Sequence, residues 1–405
     1  MRVALTSIAV ASMLLLTLLV TLKVPHPYMD EEFHIGQAIE FGRNFFSAPT
    51  ALNWDPAITT FPGLYIVSML LVGPFLSYDI DLSSILLLRG VNAICMNSAL
   101  FWLARRLSNS TTIAAQVVLF PLNFFFSFLY YTDLGSTVSV LACVLCFRER
   151  RFRLAGLLGA AAVLMRQTNI VWLFGLSLER VFEICSGNKL RIRSCLKSVM
   201  RDLWIQSCVG IGFVIFFISN HFSIVLGHHE HHGLSFHFAQ INYFLIAALA
   251  VAEVRLPNWT TTILHSLPLT ILLSLFSEIG TVVHPFLLAD NRHYSFYFFK
   301  RIEPRWVRSG AIPALASAVA ICMRWDAKKI CMHFSTFAFC LAASLVPSPL
   351  LEFRYFALPC SMLLLSGSGA RWRTAVFALT NILLGYVFLY RPFAAADGSV
   401  SRFMF

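Results

Sequence analysis

The stretch "PYMDEEFHIGQAIEFG" (Pro27 to Gly42) sets three consecutive acids, Asp30, Glu31 and Glu32, and the imidazole of His34 directly behind a long apolar run. Such groups take up protons or bind cations, and Asp30 and His34, at i and i+4, meet on one face of a helix. On spacing alone the cluster reads equally well as a solvated helix start and as proton-transfer machinery at a membrane exit.

Similar polar clusters recur along the chain: "NWDPAITTFPGLY" (53–65), "YYTDLGS" (130–136), "RQTN" (166–169), "GHHEHHGLSFH" (227–237), "HPFLLADNRHYSFYFFKR" (284–301) and "LEFRYFALP" (351–359). Each also has a plainer role. Asp55 in "WDP" suits a capped turn, and tyrosines and tryptophans at span ends anchor at the interface. Arg89 and Asn92 lie inside an apolar run, where ionisable groups are functional candidates by default. The histidine run invites a metal, but HHEHH does not place three ligands tetrahedrally from one rigid element. We therefore expect no metal centre. Phosphate-binding glycine loops and the GxSxG nucleophile motif are absent, so nucleotide hydrolysis and serine chemistry have no sequence support.

The elements that must position these clusters are membrane helices. Of 405 residues 58% are hydrophobic and 13% charged, against about 25% charged in soluble domains, and the mean hydropathy is +0.73. The ten cysteines are scattered, mostly within apolar runs, and read as small apolar residues. Val3–Val24 is longer than a signal-peptide core and reads as a first transmembrane helix. Further apolar runs lie near 58–77, 86–104, 112–131, 135–147, 154–165, 169–184, 204–219, 238–254, 260–277, 309–323, 330–346, 355–369 and 374–390.

Compact basic loops separate them, carrying Arg105 and Arg106, Arg148 to Arg153, Lys189 to Arg201, Arg324 to Lys329, and Arg371 with Arg373. The positive-inside rule places all of these in the cytoplasm. That requires 58–77 to lie in or re-enter the interface, as Pro56, Pro62, Gly63, Gly73 and Pro74 permit. The net charge of +11 is then a cytoplasmic face and not a nucleic-acid surface. Every polar cluster falls on the opposite side, in a first outer loop over 25–85 and in further loops over 220–237 and 278–308. Acids, amides, histidines and aromatics converging there form the pattern of a cavity at a membrane surface.

Six of these motifs, "PYMDEEFHIGQA", "WDPAITTFPGLY", "FLYYTDLGS", "RQTNIVW", "LLADNRHYSFY" and "LEFRYFALP", together resemble the endoplasmic-reticulum dolichyl-phosphate-glucose-dependent α-1,2-glucosyltransferases of the GT-C superfamily. The resemblance runs from about residue 25 onward in the same order. It implies an all-α polytopic membrane protein, a GT-C bundle of about 12–14 transmembrane helices with a long first lumenal loop. It also implies transfer of glucose from dolichyl-phosphate-glucose to a lipid-linked oligosaccharide acceptor, in the lumenal leaflet, without a cofactor. Asp30 and Glu31 would be the acidic pair supplying the catalytic base, with the choice between them open. His34, Trp54 and Asp55 would line the same loop and Asp133 the second. Arg166, Gln167 and Asn169 would meet the donor phosphate. Asp290, Asn291, Arg292, His293 and Tyr294 form a signature late loop, and Glu352, Arg354 and Tyr355 the last one. A related mannosyl transferase and a transporter remain the alternatives.

Overall fold

The computed structural model describes residues 2–46, 53–77, 79–187, 192–227, 235–254, 259–282, 290–302, 304–394 and 398–405. These residues are helical nearly throughout. Among them the one two-stranded sheet pairs Phe393–Ala394 with Val400–Ser401. The histidine run at 228–232 and residues 284–289 lie outside the described residues.

Among the described residues four helices are long and apolar enough to cross a bilayer: Leu82–Ser108, Ile192–Ser219, Thr260–Ile279 and Arg371–Tyr390. A helix rises about 1.5 Å per residue, so twenty residues span a hydrocarbon core of about 30 Å. The chain is an all-helical membrane protein. The four differ in their surroundings. The most apolar window of Leu82–Ser108 is 56% buried, while that of Ile192–Ser219 is only 17% buried. The first therefore runs through the bundle, and the second presents Ile211, Val214, Ile215 and Ile218 outward.

Several apolar runs become shorter helices for visible reasons. The run at 112–131 breaks at Phe120, which takes an extended ψ of 125° before Pro121, giving Thr111–Leu119 and Pro121–Ser127. The run at 238–254 forms a helix only over Ala239–Ala248. Within 58–77 the helix is Gly63–Val72, ten residues long, closed by a 3₁₀ turn at Gly73–Phe75. That is about 15 Å, half a bilayer core. Gly63 lets it rest directly on the helix Phe152–Met165: a Cβ there would stand 2.6 Å from the Leu164 carbonyl.

Two helices form the centre. Thr132–Arg148 and Ala357–Ser366 are buried on nearly every face, the latter at all ten residues, as expected of a helix apolar all round. Of the two, Thr132–Arg148 runs at its carboxyl-terminal end into a polar network at one end of the bundle. There Arg106 pairs with Glu149, Arg150 with Glu183, and Arg180 with both Glu183 and Asp202. The amino-terminal ends of both helices meet at the other end, around a cavity.

Candidate active site

The cavity encloses about 450 Å³. The first loop contributes Asp30 and His34. Thr132 and Asp133 come from the start of one central helix, Arg166 to Asn169 from the turn before Asn169–Gly187, and Arg354 and Tyr355 from the turn before Ala357–Ser366. The opposite wall is apolar: Phe213, Val214 and Phe217 from the outward-facing helix Ile192–Ser219, with Ile224, Leu345 and Pro347. Three helices thus begin at this space. The positive ends of their dipoles meet there, although the N–H groups of Asn169, Ile170 and Val171 bond the carbonyls of Arg166, Gln167 and Thr168, and the Ala357 N–H bonds the Arg354 carbonyl.

The adjacent acids diverge. Met29 adopts a left-handed φ of 57°, the helix Glu31–Phe46 starts behind it, and successive helical side chains point about 100° apart. Glu31 turns into the protein and is fully buried. It accepts from Arg89 Nε at 2.9 Å and Nη2 at 2.6 Å, from the Tyr130 N–H at 2.7 Å and from the Tyr28 N–H at 3.1 Å. Arg89, equally buried, also donates to the carbonyls of Val24 and His26. A π-helical turn at Val91–Met96 follows, and Asn92 within it donates to the Leu129 and Tyr131 carbonyls at 2.8 Å. The intramembrane Arg89 and Asn92 are thus fasteners for the first loop, and neither lines the cavity.

Asp30 faces the cavity with 41% of its side chain exposed. Its Oδ2 accepts from Arg354 Nη1 at 2.7 Å, and its N–H donates to the Tyr131 hydroxyl at 3.1 Å. The Arg354 guanidinium lies 5.6 Å over the Tyr131 ring and also binds Glu352. Burial pushes the Asp30 carboxyl up, but the charge and hydrogen bond of Arg354 hold it below the ordinary carboxylate range. Glu352 is lowered in the same way: burial opposes, and Arg354 prevails. His34 bonds the Tyr65 hydroxyl at 2.7 Å through Nδ1, and burial holds its pKa down, so it is neutral at neutral pH.

Across the cavity, Arg166 pairs with Asp133 and lies 5.1 Å over the Tyr355 ring. The second oxygen of Asp133 is buried without a protein partner. Gln167 and Asn169 line the space but are partly committed. Gln167 Nε2 donates to the Thr59 carbonyl, and Asn169 Nδ2 donates to Ser136 Oγ and the Ala162 carbonyl, each at 2.7 Å. The first loop is held from the far side too. Leu226 N–H donates to the Thr59 carbonyl, and Gly227 packs so closely that a Cβ would stand 2.0 Å from the Pro56 carbonyl oxygen.

Other expected site residues stand apart from the cavity wall. Trp54 packs edge-on against Phe41 and 5.9 Å from the Tyr65 ring, and Asp55 caps its own turn through the Ala57 N–H at 2.8 Å. Asp290 chelates Arg292 through both oxygens at 2.8 Å, His293 Nε2 lies 3.7 Å from Asp290, and Tyr294 stacks on Phe403. Asn291 is exposed. This late segment does not line the cavity and instead bonds residues 404 and 405. Sequence reasoning passed over Tyr28, Tyr131 and residues 398–405. Tyr131, within "YYTD", was the one with a signal, standing directly before the acid-bearing helix. Among the described residues no group of three or more His, Cys, Asp or Glu could hold a metal ion.

The model of the DIE2/ALG10 family matches residues 24–365. The chain is 28% identical to an Arabidopsis thaliana protein named Dol-P-Glc:Glc(2)Man(9)GlcNAc(2)-PP-Dol alpha-1,2-glucosyltransferase, over 99% of this chain and 98% of that one. It is 31% and 30% identical to proteins of the same name from Rattus norvegicus and Homo sapiens, each over 93% of both chains. No solved structure matches. The chain belongs to the DIE2/ALG10 family.

Proposed function

We propose that this protein transfers glucose from dolichyl-phosphate-glucose to the diglucosylated lipid-linked oligosaccharide, forming an α-1,2 linkage on the lumenal side of the endoplasmic-reticulum membrane. A β-linked donor and an α-linked product require inversion in one displacement. The acceptor hydroxyl oxygen attacks C1 of glucose, the bond from C1 to the phosphate oxygen breaks, and dolichyl phosphate leaves with the electron pair. The hydroxyl proton passes to a general base.

Asp30 is that base, and one observation carries the assignment. Of the two adjacent acids, only Asp30 faces the cavity, whereas four donors seal Glu31 against Arg89. Arg354 and Arg166 provide N–H groups for the leaving phosphate, which guanidinium binds in bidentate fashion, and the positive ends of the helix dipoles add to the field there. When the donor phosphate takes a share of Arg354, the hold of that guanidinium on Asp30 loosens, and the base strengthens as the acceptor arrives. The free oxygen of Asp133 and the ring of Tyr355 suit the sugar. The wall of Phe213, Val214 and Phe217 suits the first isoprene units, since its helix also faces lipid. The scheme calls for two substrates and no cofactor.

The test is transfer by purified, reconstituted enzyme given dolichyl-phosphate-glucose and a diglucosylated acceptor. Asp30→Asn should remove a factor of about 10²–10⁴ in rate while leaving the protein folded. Retained transfer by that variant would falsify the base assignment, and preference for a mannosyl donor would overturn the substrate.

A further inference from the structure

Residues 398–405 cross the cavity end of the bundle and touch three separate parts of it. The Arg402 guanidinium donates to the carbonyls of Phe388 at 2.7 Å, Leu389 at 3.0 Å and Lys23 at 3.0 Å. It thereby satisfies carbonyls at the ends of both Arg371–Tyr390 and Arg2–Lys23. The Arg402 backbone and the Tyr28 hydroxyl bond reciprocally: the hydroxyl donates to the Arg402 carbonyl at 2.7 Å and accepts from its N–H at 2.8 Å. Two residues on, Met404 N–H donates to the Arg292 carbonyl and Met404 O accepts from the Tyr294 N–H, both at 2.9 Å. His293 Nδ1 lies 2.9 Å from the Phe405 backbone oxygen.

Tyr28 stands directly before the left-handed Met29, and Asp30 follows. A non-glycine residue in that conformation is strained and persists only where its surroundings over-determine it. The surroundings here are specific. Behind the turn, Glu31 holds the Tyr28 N–H and Tyr131 holds the Tyr28 carbonyl and the Asp30 N–H. In front, its contact is Arg402. The family model matches residues 24–365, so it takes in Tyr28 and ends before Arg402.

We propose that residues 400–405 act as a strap for the transfer reaction, with Arg402 and Tyr28 as positioning residues that hold the Tyr28–Met29–Asp30 turn so that Asp30 faces the cavity. The inference rests on Asp30 as the base. Tyr28→Phe removes both strap hydrogen bonds and keeps the ring against Phe388. In the reconstituted enzyme it should lower kcat roughly tenfold, with the donor KM within about twofold and an unchanged amount and melting temperature of folded protein. A merely structural role would lower the amount of folded protein and leave kcat per folded molecule alone. Adding Met29→Asn, a residue that tolerates the left-handed region, should recover several-fold of the lost kcat. Unchanged kcat in Tyr28→Phe, or no recovery on adding Met29→Asn, overturns the strap. If Asp30→Asn is inactive while Tyr28→Phe is normal, the strap alone fails. An active Asp30→Asn removes the reading beneath it.

Discussion

Two carboxylate–arginine pairs lie one residue apart in the first loop and could hardly differ more. Glu31 and Arg89 are both fully buried, bonded twice to each other and to four backbone groups. Asp30 and Arg354 share a single hydrogen bond, with 41% and 19% of their side chains exposed. The sealed pair has no spare capacity for a substrate, and breaking it strands a charge in a low-dielectric interior. The open pair can exchange partners. On the proposed mechanism, adjacent acids of similar chemistry divide anchoring and reaction between them, and the division is made by the direction each side chain takes as the helix starts behind the left-handed Met29.

That contrast can be broken in order of size. Asp30→Asn should abolish nearly all transfer, by the factor given above, at normal abundance. Glu31→Gln should do the reverse. It leaves Arg89 buried without its counter-charge, a loss of about 3–5 kcal/mol in stability, read as low abundance and a lowered melting temperature. Adding Arg89→Gln should recover part of it, because the two changes share one interaction.

Smaller effects sharpen the contrast. Arg354→Gln should raise the donor KM and move the acid limb of the pH–rate profile. With ionised Asp30 as the proposed base, activity should be present above its folded pKa and lost as pH falls through it. In the native protein Arg354 keeps that value below the ordinary carboxylate range, so removing Arg354 should shift the limb upward. Smallest of all, the sequon at Asn109 lies in the basic loop and should carry no glycan on expression in microsomes. A glycan there would invert the orientation.

How much of this was legible depended on range. Apolar runs foretold helices because a bilayer leaves the backbone no other partner, and the convergence of polar clusters followed from charge alone. The interruption at Phe120 was foreshadowed by Pro121, yet periodicity ran through it. Asp30 and Glu31 could not be told apart, since their directions are set by Met29 and by an arginine brought back from residue 89. Trp54 and Asp55 were expected to line the first loop from the family motif, while "WDP" by itself suited a capped turn. Their neighbours Phe41, Gln37 and Ala57 make them a turn and its packing. The Asp290–Tyr294 segment pairs Asp290 with Arg292 and bonds residues 404 and 405, which spacing does not reveal. Residues 400–405 matter only because the fold returns them to Tyr28.

The most direct test is the transfer rate per folded molecule of Asp30→Asn beside that of the double variant Glu31→Gln with Arg89→Gln, in one reconstituted preparation with both lipid-linked substrates. The account predicts a loss of at least about 10² for the first and, for the second, a rate per folded molecule close to that of the unaltered enzyme. Near-normal transfer by Asp30→Asn, with the double variant inactive though folded, would contradict it.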